Sequence, residues 1–191
     1  MNSNWFKLFL KLNKVKYGKK LLLKGRPVIY NKKGASLCIG DNVIIKSSFM
    51  SNLVGLYSRT IIVTRTKNAK IKIGNDVGIS GATIYARNSI TIGDNTLIGG
   101  NVKILDNDFH PLEIEARNTN NIEKIKSKPI EIGKNCFIGC NAIILKGTIL
   151  GDGCIVGAGA VVSGVFEKGS VIVGNPGTVV KKVDTDEGAT N

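Results

Sequence analysis

The sequence predicts an all-β solenoid built from triangular coils. From Ile132 the chain repeats in units of six, and a large aliphatic residue begins each unit: Ile132, Ile138, Ile144, Leu150 and Val156. The fifth place of each unit is always small, as cysteine, alanine or threonine. A strand repeats every two residues and a helix every 3.6, so a strict period of six requires a coil with three equal sides. Successive coils would stack as parallel strands about 4.8 Å apart.

The same repeat extends upstream with less regularity. Hexads begin at Ile73 and at Ile92, and an earlier coil surrounds Ile39. The phase slips by one near Arg87 and Asn88, which predicts an extra residue at a corner of the coil. The N-terminal coils are therefore expected to be uneven in length.

The repeat stops between Ile104 and Ile130. The intervening sequence is polar and has no hexad, so it predicts an excursion loop over residues 105–129. Long irregular loops in compact domains are usually functional or disordered. We expect one solenoid domain over residues 25–180, interrupted by this loop, and a tail over residues 181–191.

Residues 1–24 are predicted to contain a basic amphipathic helix. Apolar residues recur there at helical spacing and lysines occupy the opposite face: Trp5, Leu8, Phe9, Leu12 and Val15 against Lys7, Lys11 and Lys14. The favoured interpretation is a cap that covers the exposed end of the sheets, because solenoids need one. The alternative is an anchor on a membrane surface.

The charge of the chain is strongly basic. It has 27 Lys and Arg residues against 14 Asp and Glu, a formal net charge of +13, and its first acidic residue is Asp41. Such a surface favours anionic partners. We do not expect nucleic acid to be one of them, because aromatic residues make up 6% of the chain and no nucleic-acid motif accompanies the charge.

The cysteines and the N-terminus indicate a reducing compartment. Cys38, Cys136, Cys140 and Cys154 lack the paired spacing of a metal site, and a single histidine cannot complete one, so we expect free thiols and no metal. The apolar N-terminal run is interrupted by lysines, and no segment has the length to span a bilayer. We expect a cytoplasmic protein, with peripheral contact at the inner membrane face left open.

The hexads occur in order with the motifs "VGISGATI", "DNDFHP" and "VGNPGTVVKK". With them the sequence resembles the hexapeptide-repeat acyltransferases, and it is most similar to bacterial sugar O-acetyltransferases of the maltose, galactoside and surface-polysaccharide type. The resemblance implies a left-handed parallel β-helix. It also implies a homotrimer, with acetyl-CoA lying along the coils and each active site formed between neighbouring subunits.

The resemblance assigns the chemistry to His110, the one histidine of the chain. Acetyl transfer from a thioester to a hydroxyl needs a base, and imidazole suits this near neutral pH. In the family the histidine of the motif that resembles "DFHP" has this role. Asp106 or Asp108 could orient the ring and stabilise the imidazolium, and the sequence does not choose between them.

Three further residues are predicted to bind the acceptor. The family pattern places a polar residue at Ser80. Arg117, within the excursion, resembles an arginine common in the polysaccharide subgroup and could bind an acidic or phosphorylated acceptor. Phe137 replaces the tryptophan of many relatives and can pack against the pantetheine or the sugar.

The predicted acetyl-CoA contacts lie downstream of the excursion. The thioester carbonyl is expected to meet a backbone N–H near Gly139 or Cys140, where it would steady the developing oxyanion. The remaining predicted contacts are Gly157, Ala158, Ser163, Asn175, Pro176, Lys181 and Lys182, the two lysines serving the nucleotide phosphates.

Two alternatives stay open at this point. One is a nucleotide-sugar N-acetyltransferase of the same fold, and the other is a noncatalytic solenoid that acts as a binding module. A zinc carbonic anhydrase of this fold is excluded, because it needs three histidines at the metal and this chain has one.

Overall fold

The computed structural model describes residues 3–184. The chain begins with helix α1 (Ser3–Leu12), and the strands before the excursion are β1 (Lys16–Tyr17), β2 (Leu22–Gly25), β3 (Val28–Asn31), β4 (Ser36–Ile39), β5 (Ile44–Ser47), β6 (Ile61–Thr64), β7 (Lys70–Ile73), β8 (Gly78–Ser80), β9 (Thr83–Ala86), β10 (Ser89–Ile92), β11 (Leu97–Ile98) and β12 (Lys103–Leu105). The excursion contains helix α2 (Ile114–Asn118), and the strands that follow it are β13 (Ile130–Ile132), β14 (Phe137–Ile138), β15 (Ile143–Leu145), β16 (Ile149–Leu150), β17 (Ile155–Val156), β18 (Val161–Val162), β19 (Val165–Phe166), β20 (Ser170–Val173) and β21 (Thr178–Lys182). Short 3-10 turns lie at Phe49–Ser51 and Ile122–Lys124.

The strands stack into three sheets that form the sides of a triangular prism. The first sheet has the order β1-β4-β7-β10-β13-β16-β19, the second β2-β5-β8-β11-β14-β17-β20-β21, and the third β18-β15-β12-β9-β6-β3. The named strands pair in parallel, except that β21 is antiparallel to β20. Ile132 pairs with Leu150 and Ile138 with Val156, so a regular coil contains eighteen residues. The predicted all-β triangular solenoid is confirmed.

The leading aliphatic residue of each hexad fills the prism, as predicted. Each of them is at most 2% exposed: Ile132, Ile138, Ile144, Leu150 and Val156. The small fifth residues are also buried, and they are Cys136, Ala142, Thr148, Cys154 and Ala160. Each large aliphatic side chain contributes about 2 kcal/mol by leaving water, so the narrow core stabilises the stack along its whole length.

The three edges of the prism are where functional residues can project. The first edge joins the first and second sheets at residues 133–135, the second edge joins the second and third sheets at residues 139–141, and the third edge joins the third and first sheets at residues 146–148. The coils touch closely at the first edge. A Cβ added at Gly93 would lie 2.5 Å from the backbone carbon of Gly133.

The solenoid begins earlier than the predicted boundary at residue 25. Helix α1 ends at Leu12, and β1 and β2 already pair with β4 and β5. Leu10 and Val15 are buried in the same hydrophobic core as the coils, which places the helix against the end of the stack as a cap. Val15 lies beyond the helix, and the side chain of Trp5 lies outside the described residues. None of the helices in the described part of the chain has the length and apolarity needed to cross a bilayer.

The predicted C-terminal tail also needs a correction. Strand β21 runs to Lys182 and pairs with β20, so the ordered stack continues past residue 180. An antiparallel strand at this place covers the last edge of the second sheet, which a solenoid must protect. Residues 185–191 of the predicted tail lie outside the described residues.

The uneven N-terminal coils have two identifiable causes. Ile45 pairs with Ile79, a spacing of 34 residues, because residues 48–60 leave the prism at the second edge as a loop that we call the first loop. The predicted insertion near Arg87 lies at the third edge, but it has two residues where one was predicted. There Ile84 and Ile92 are eight residues apart, whereas their partners Ile144 and Leu150 are six apart.

Candidate active site

The excursion is held at the third edge by a short antiparallel stem. Leu105 remains in β12 and pairs with Leu145, so the excursion begins at Asp106, one residue later than predicted. The Asp108 N–H donates to the carbonyl of Lys126 at 3.1 Å, and the Lys128 N–H donates to the carbonyl of Asp106 at 2.9 Å. The two ends of the loop therefore fix one another before the chain departs.

Asp106 anchors this stem to the coil below. Its carboxylate is buried and accepts hydrogen bonds from the N–H groups of Arg87 at 2.8 Å and Asn88 at 2.7 Å. Burial raises the pKa of Asp106 above its ordinary value, although these hydrogen bonds oppose the shift. Asp106 was one of two candidates to orient His110, but its oxygens are used to hold the extra residues of the third edge.

Asp108 is the candidate that keeps an oxygen available. One oxygen, Oδ1, pairs with the ammonium of Lys146, which lies one coil further on at the same edge. Among the described residues, Oδ2 is buried and has no hydrogen-bond partner. Such a group is costly unless something satisfies it. The sequence analysis did not predict a role for Lys146, because this residue lies at the corner of an ordinary hexad.

A tight turn presents His110 at the third edge. Phe109 adopts a left-handed φ of 61°, its N–H donates to Oδ1 of Asn107 at 2.9 Å, and the His110 N–H donates to the carbonyl of Asp108 at 2.7 Å. The Phe109 ring packs against Tyr85, with ring centroids 4.9 Å apart. The turn is thus fixed from both sides while the His110 side chain is exposed.

The arginines near the excursion hold its backbone. Arg117 donates to the carbonyls of Pro111 at 3.3 Å and Leu112 at 3.1 Å, and Arg87 donates to the carbonyl of Ile122 at 3.1 Å. Arg117 was predicted to bind an acidic acceptor, but part of its guanidinium is engaged in closing the loop. Three apolar side chains of the loop, Leu112, Ile114 and Ile122, are exposed among its polar residues.

Ser80 lies at a different edge from His110. It ends β8 at the second edge, is 7% exposed, and accepts a hydrogen bond from Nδ2 of Asn52 in the first loop at 3.1 Å. The hydroxyl of Tyr57 in the same loop donates to Oδ1 of Asn141 at 3.2 Å. The absence of a hexad from residues 48–60 was a detectable sign of this loop.

The first loop also exposes apolar side chains. Phe49, Met50, Leu53, Val54 and Tyr57 are all exposed, and Leu53 is 82% exposed. Leu56 is the buried residue that attaches the loop to the prism. Several exposed apolar side chains within one short loop are typical of an interaction site.

Six of the predicted acetyl-CoA contacts lie along the second edge in successive coils: Gly139, Cys140, Gly157, Ala158, Asn175 and Pro176. Two amides were candidates for the oxyanion. The Gly139 N–H donates to the carbonyl of Val156 at 2.7 Å, so the ladder of the solenoid uses it. The Cys140 N–H, at the corner itself, is therefore the better placed of the two.

Four predicted site residues lie away from this edge. Phe137 lies on the second sheet between Leu97 and Ile155, and its side chain is half-exposed. Ser163 follows β18 and lies towards the third edge. Lys181 and Lys182 lie on β21, where Lys182 pairs with Glu167 and lowers the pKa of that carboxyl.

Within one chain, the third sheet lies between the third edge, which carries the excursion with His110, and the second edge. The six residue steps from Cys140 to Lys146 span the width of this sheet, a distance of up to about 20 Å. A site shared between two chains would combine the third edge of one with the second edge of the other. Across residues 3–184, no group of three or more His, Cys, Asp or Glu side chains could hold a metal ion.

The coils on both sides of the excursion match a known family. A family model described as the hexapeptide repeat of succinyl-transferase matches residues 89–104 and 129–163. Over these two segments the chain is similar to hexapeptide-repeat proteins, and its three stacked sheets have the triangular architecture that the hexads predict.

Among its relatives is a Dictyostelium discoideum protein provisionally named an acetyltransferase, 47% identical over 94 residues, which are 49% of this chain and 47% of that protein. An Escherichia coli K12 protein provisionally named WbbJ, a lipopolysaccharide biosynthesis O-acetyl transferase, is 35% identical over 99 residues, 49% of this chain and 50% of that protein. The chain thus spans about half the length of these relatives.

A solved structure extends the likeness in fold to nearly the whole chain. It is a variant of AntD, an N-acyltransferase from Bacillus cereus, in complex with dTDP-4-amino-4,6-dideoxyglucose and coenzyme A. Its TM-score is 0.68 at 23% identity, and the match covers 93% of this chain and 89% of that one.

Proposed function

We propose that this protein is an acetyl-CoA-dependent O-acetyltransferase that modifies a hydroxyl of a sugar or surface polysaccharide. The observation that carries the proposal is the presentation of His110. A hexapeptide solenoid is interrupted by one pinned excursion that holds an exposed imidazole on a rigid turn. The names of the sequence relatives, one acetyltransferase and one O-acetyl transferase, support the reaction class.

In the proposed reaction His110 is the general base. It removes the proton of the acceptor hydroxyl while the oxygen attacks the carbonyl carbon of the thioester. The C–S bond then breaks, the acetyl group becomes an ester of the acceptor, and the proton passes to the leaving thiolate of coenzyme A. Asp108 is the positioning residue for the imidazolium that forms in between, because its Oδ2 is uncommitted and two residues away along the chain.

The second edge is the proposed site of acetyl-CoA. Its corners repeat in register from one coil to the next, and the Cys140 N–H is available where the chain turns. A backbone N–H aimed at the developing oxyanion contributes strongly to such reactions. Lys181 stays a candidate for the nucleotide phosphates, whereas Lys182 is already paired with Glu167.

A homotrimer would bring His110 of one chain to the second edge of the next. Exposed apolar side chains at two different edges support a head-to-tail contact: those of the first loop at the second edge, and Leu112, Ile114 and Ile122 of the excursion at the third edge. Contacts of this type close into rings under cyclic symmetry. Ser80 would then face the same cleft as the neighbouring His110.

Release of free coenzyme A thiol tests the activity. The purified protein is incubated with acetyl-CoA and a panel of sugars, and the best acceptor is then used for variants. His110→Ala should lower kcat by about a hundredfold or more. Asn118→Ala, an exposed change in the same excursion, is the matched control and should leave the rate unchanged. Equal rates for His110→Ala and the wild type would refute the proposal.

Transfer to an amine is the second candidate, and its support is the fold shared with AntD, an N-acyltransferase. Treatment of the product with mild base separates the two, since esters are cleaved and amides survive. A noncatalytic solenoid, by contrast, would show no heat of coenzyme A binding by calorimetry and no thiol release with any acceptor.

A further inference from the structure

We propose that the N-terminal end of the solenoid docks on the surface of an anionic lipid bilayer. Helix α1 has two apolar faces, of which one is buried in the core and the other is exposed. Leu10 is fully buried in the core and Phe6 packs against it, whereas Leu8 and Leu12, one helical turn apart, point outward. Leu12 is 74% exposed and Phe9, beside this pair, is 39% exposed. The cap therefore leaves an apolar stripe that the described residues of this chain do not cover.

The charge around this stripe is uniformly positive. The first forty residues contain ten Lys and Arg residues and no acidic residue, and the first acidic residue is Asp41. Lys7 and Lys11 lie on the helix itself, and Lys11 is exposed. Each basic residue near an anionic leaflet adds to the attraction. Asp41, which accepts a hydrogen bond from the Lys19 N–H, is the first carboxylate in this part of the stack.

A basic cavity lies beside the end of the helix. It has a volume of about 300 Å³ and is lined by Leu12, Asn13, Lys14, Asn31, Lys32 and Lys33, among others. Nδ2 of Asn31 donates to the carbonyl of Asn13 at 2.9 Å, which fixes one wall. Its lining joins three ammonium groups to the outer end of the apolar stripe. That combination fits a phosphate headgroup with its acyl chain directed towards Leu12.

The exposed apolar stripe and the lysines beside it together favour an anionic lipid surface over other anionic partners. An exposed apolar stripe beside lysines lets the aliphatic groups enter the acyl boundary while the ammonium groups stay at the headgroups. Nucleic acid would use the charge but not the leucines. Deleting the helix cannot test this, because Leu10 is part of the solenoid core. Substitution of exposed side chains leaves the cap in place.

Sedimentation with lipid vesicles provides the test. We expect the full-length protein to bind vesicles of mixed phosphatidylglycerol and phosphatidylcholine, to bind pure phosphatidylcholine weakly, and to be released by salt. Leu8→Ser with Leu12→Ser should raise the lipid concentration for half-binding by about tenfold or more. Lys32→Gln with Lys33→Gln should do the same through the headgroup attraction.

Matched controls separate the surface from general effects. Val165→Ser with Val180→Ser removes two exposed apolar residues near the other end of the solenoid, and Lys70→Gln with Lys72→Gln removes the same charge from β7. Both controls should bind like the wild type, and all four variants should keep the thermal unfolding midpoint. The proposal is overturned if anionic vesicles are not bound, if the controls lose as much binding, or if the leucine variants convert a self-associated form to a smaller one.

Vesicle binding and acetyl transfer are independent measurements. The leucine variants should keep the rate of thiol release with a soluble acceptor, because the stripe is remote from both the second and third edges near His110. If the protein binds vesicles but does not transfer acetyl groups, the proposed lipid-binding surface is supported and the proposed acetyltransferase activity is refuted. If it transfers acetyl groups but does not bind anionic vesicles, the activity is supported and the lipid-binding surface is refuted.

Discussion

The ammonium of Lys146 pairs with Oδ1 of Asp108 across one coil, while Oδ2 of the same carboxylate is buried and, among the described residues, unpartnered. The two side chains come from different coils, so the solenoid itself sets the position of Asp108. Its ion pair is partly shielded from water, with side-chain exposures of 28% for Lys146 and 17% for Asp108. The loop that carries His110 is thus attached to the rigid stack immediately before the histidine.

The variant Asp108→Asn should show whether Asp108 positions His110 or binds the substrate. We expect kcat to fall by about a hundredfold with little change in KM, because the amide cannot stabilise the imidazolium formed in the transition state. Steady-state thiol release with a fixed acceptor measures both constants. Lys146→Gln keeps the carboxylate and should cost less. A rise in KM at constant kcat would mean that Asp108 binds substrate instead.

Asp106 should make stability depend on pH. Burial raises its pKa above the ordinary 3.8, so above that value the folded state binds the proton more tightly than the unfolded state. The free energy of unfolding contributed by this group therefore falls as the pH rises through the window above 3.8. Asp106→Asn cannot ionise and should show a flatter profile in urea unfolding across that window. Glu131→Gln, with an exposed side chain on β13, is the control and should keep the wild-type slope.

The fold was predictable because it depends on a local rule repeated many times. Each hexad from Ile132 places its aliphatic residue inward regardless of the rest of the chain, so the pattern is visible in the sequence. The role of Asp106 was not predictable in this way. Its partners, Arg87 and Asn88, are remote in sequence and meet it because two extra residues bulge at the third edge. The resemblance predicted His110 as the base, but it could not choose between Asp106 and Asp108, because their different surroundings arise from the stem.

Reactivity of the four cysteines should follow their burial. The pKa of Cys136 is raised to about 12 by burial, and burial also raises the pKa of Cys154, so both stay as thiols at neutral pH. Cys38 and Cys140 are partly accessible. Alkylation of the native protein followed by peptide mass spectrometry should label these two first. Added coenzyme A should slow labelling at Cys140 but not at Cys38, and equal labelling with and without it would argue against the second edge as its site.

The close stacking at the first edge predicts a sharp difference between two glycines. A Cβ at position 93 would meet the backbone of Gly133 at 2.5 Å, and neither coil can move without disturbing its neighbours. Gly93→Ala should lower the free energy of unfolding by about 2–4 kcal/mol. Gly159 has a left-handed φ of 70° but open space around it, so Gly159→Ala should cost only about 1 kcal/mol. Urea titration of both variants measures the difference, and equal losses would contradict the packing argument.

The separation of His110 from the second edge predicts complementation between inactive chains. His110→Ala removes the proposed base, and Ala158→Trp, at an exposed position of the second edge, should block the proposed acetyl-CoA site. In a ring of three, a mixed particle contains one cleft whose two halves are both intact. Unfolding and refolding an equal mixture should therefore restore about a quarter of wild-type thiol release, because about three quarters of the particles are mixed and each has one good site in three. The two variants refolded separately supply the baseline. A mixture no more active than they are would mean that each site is built within a single chain.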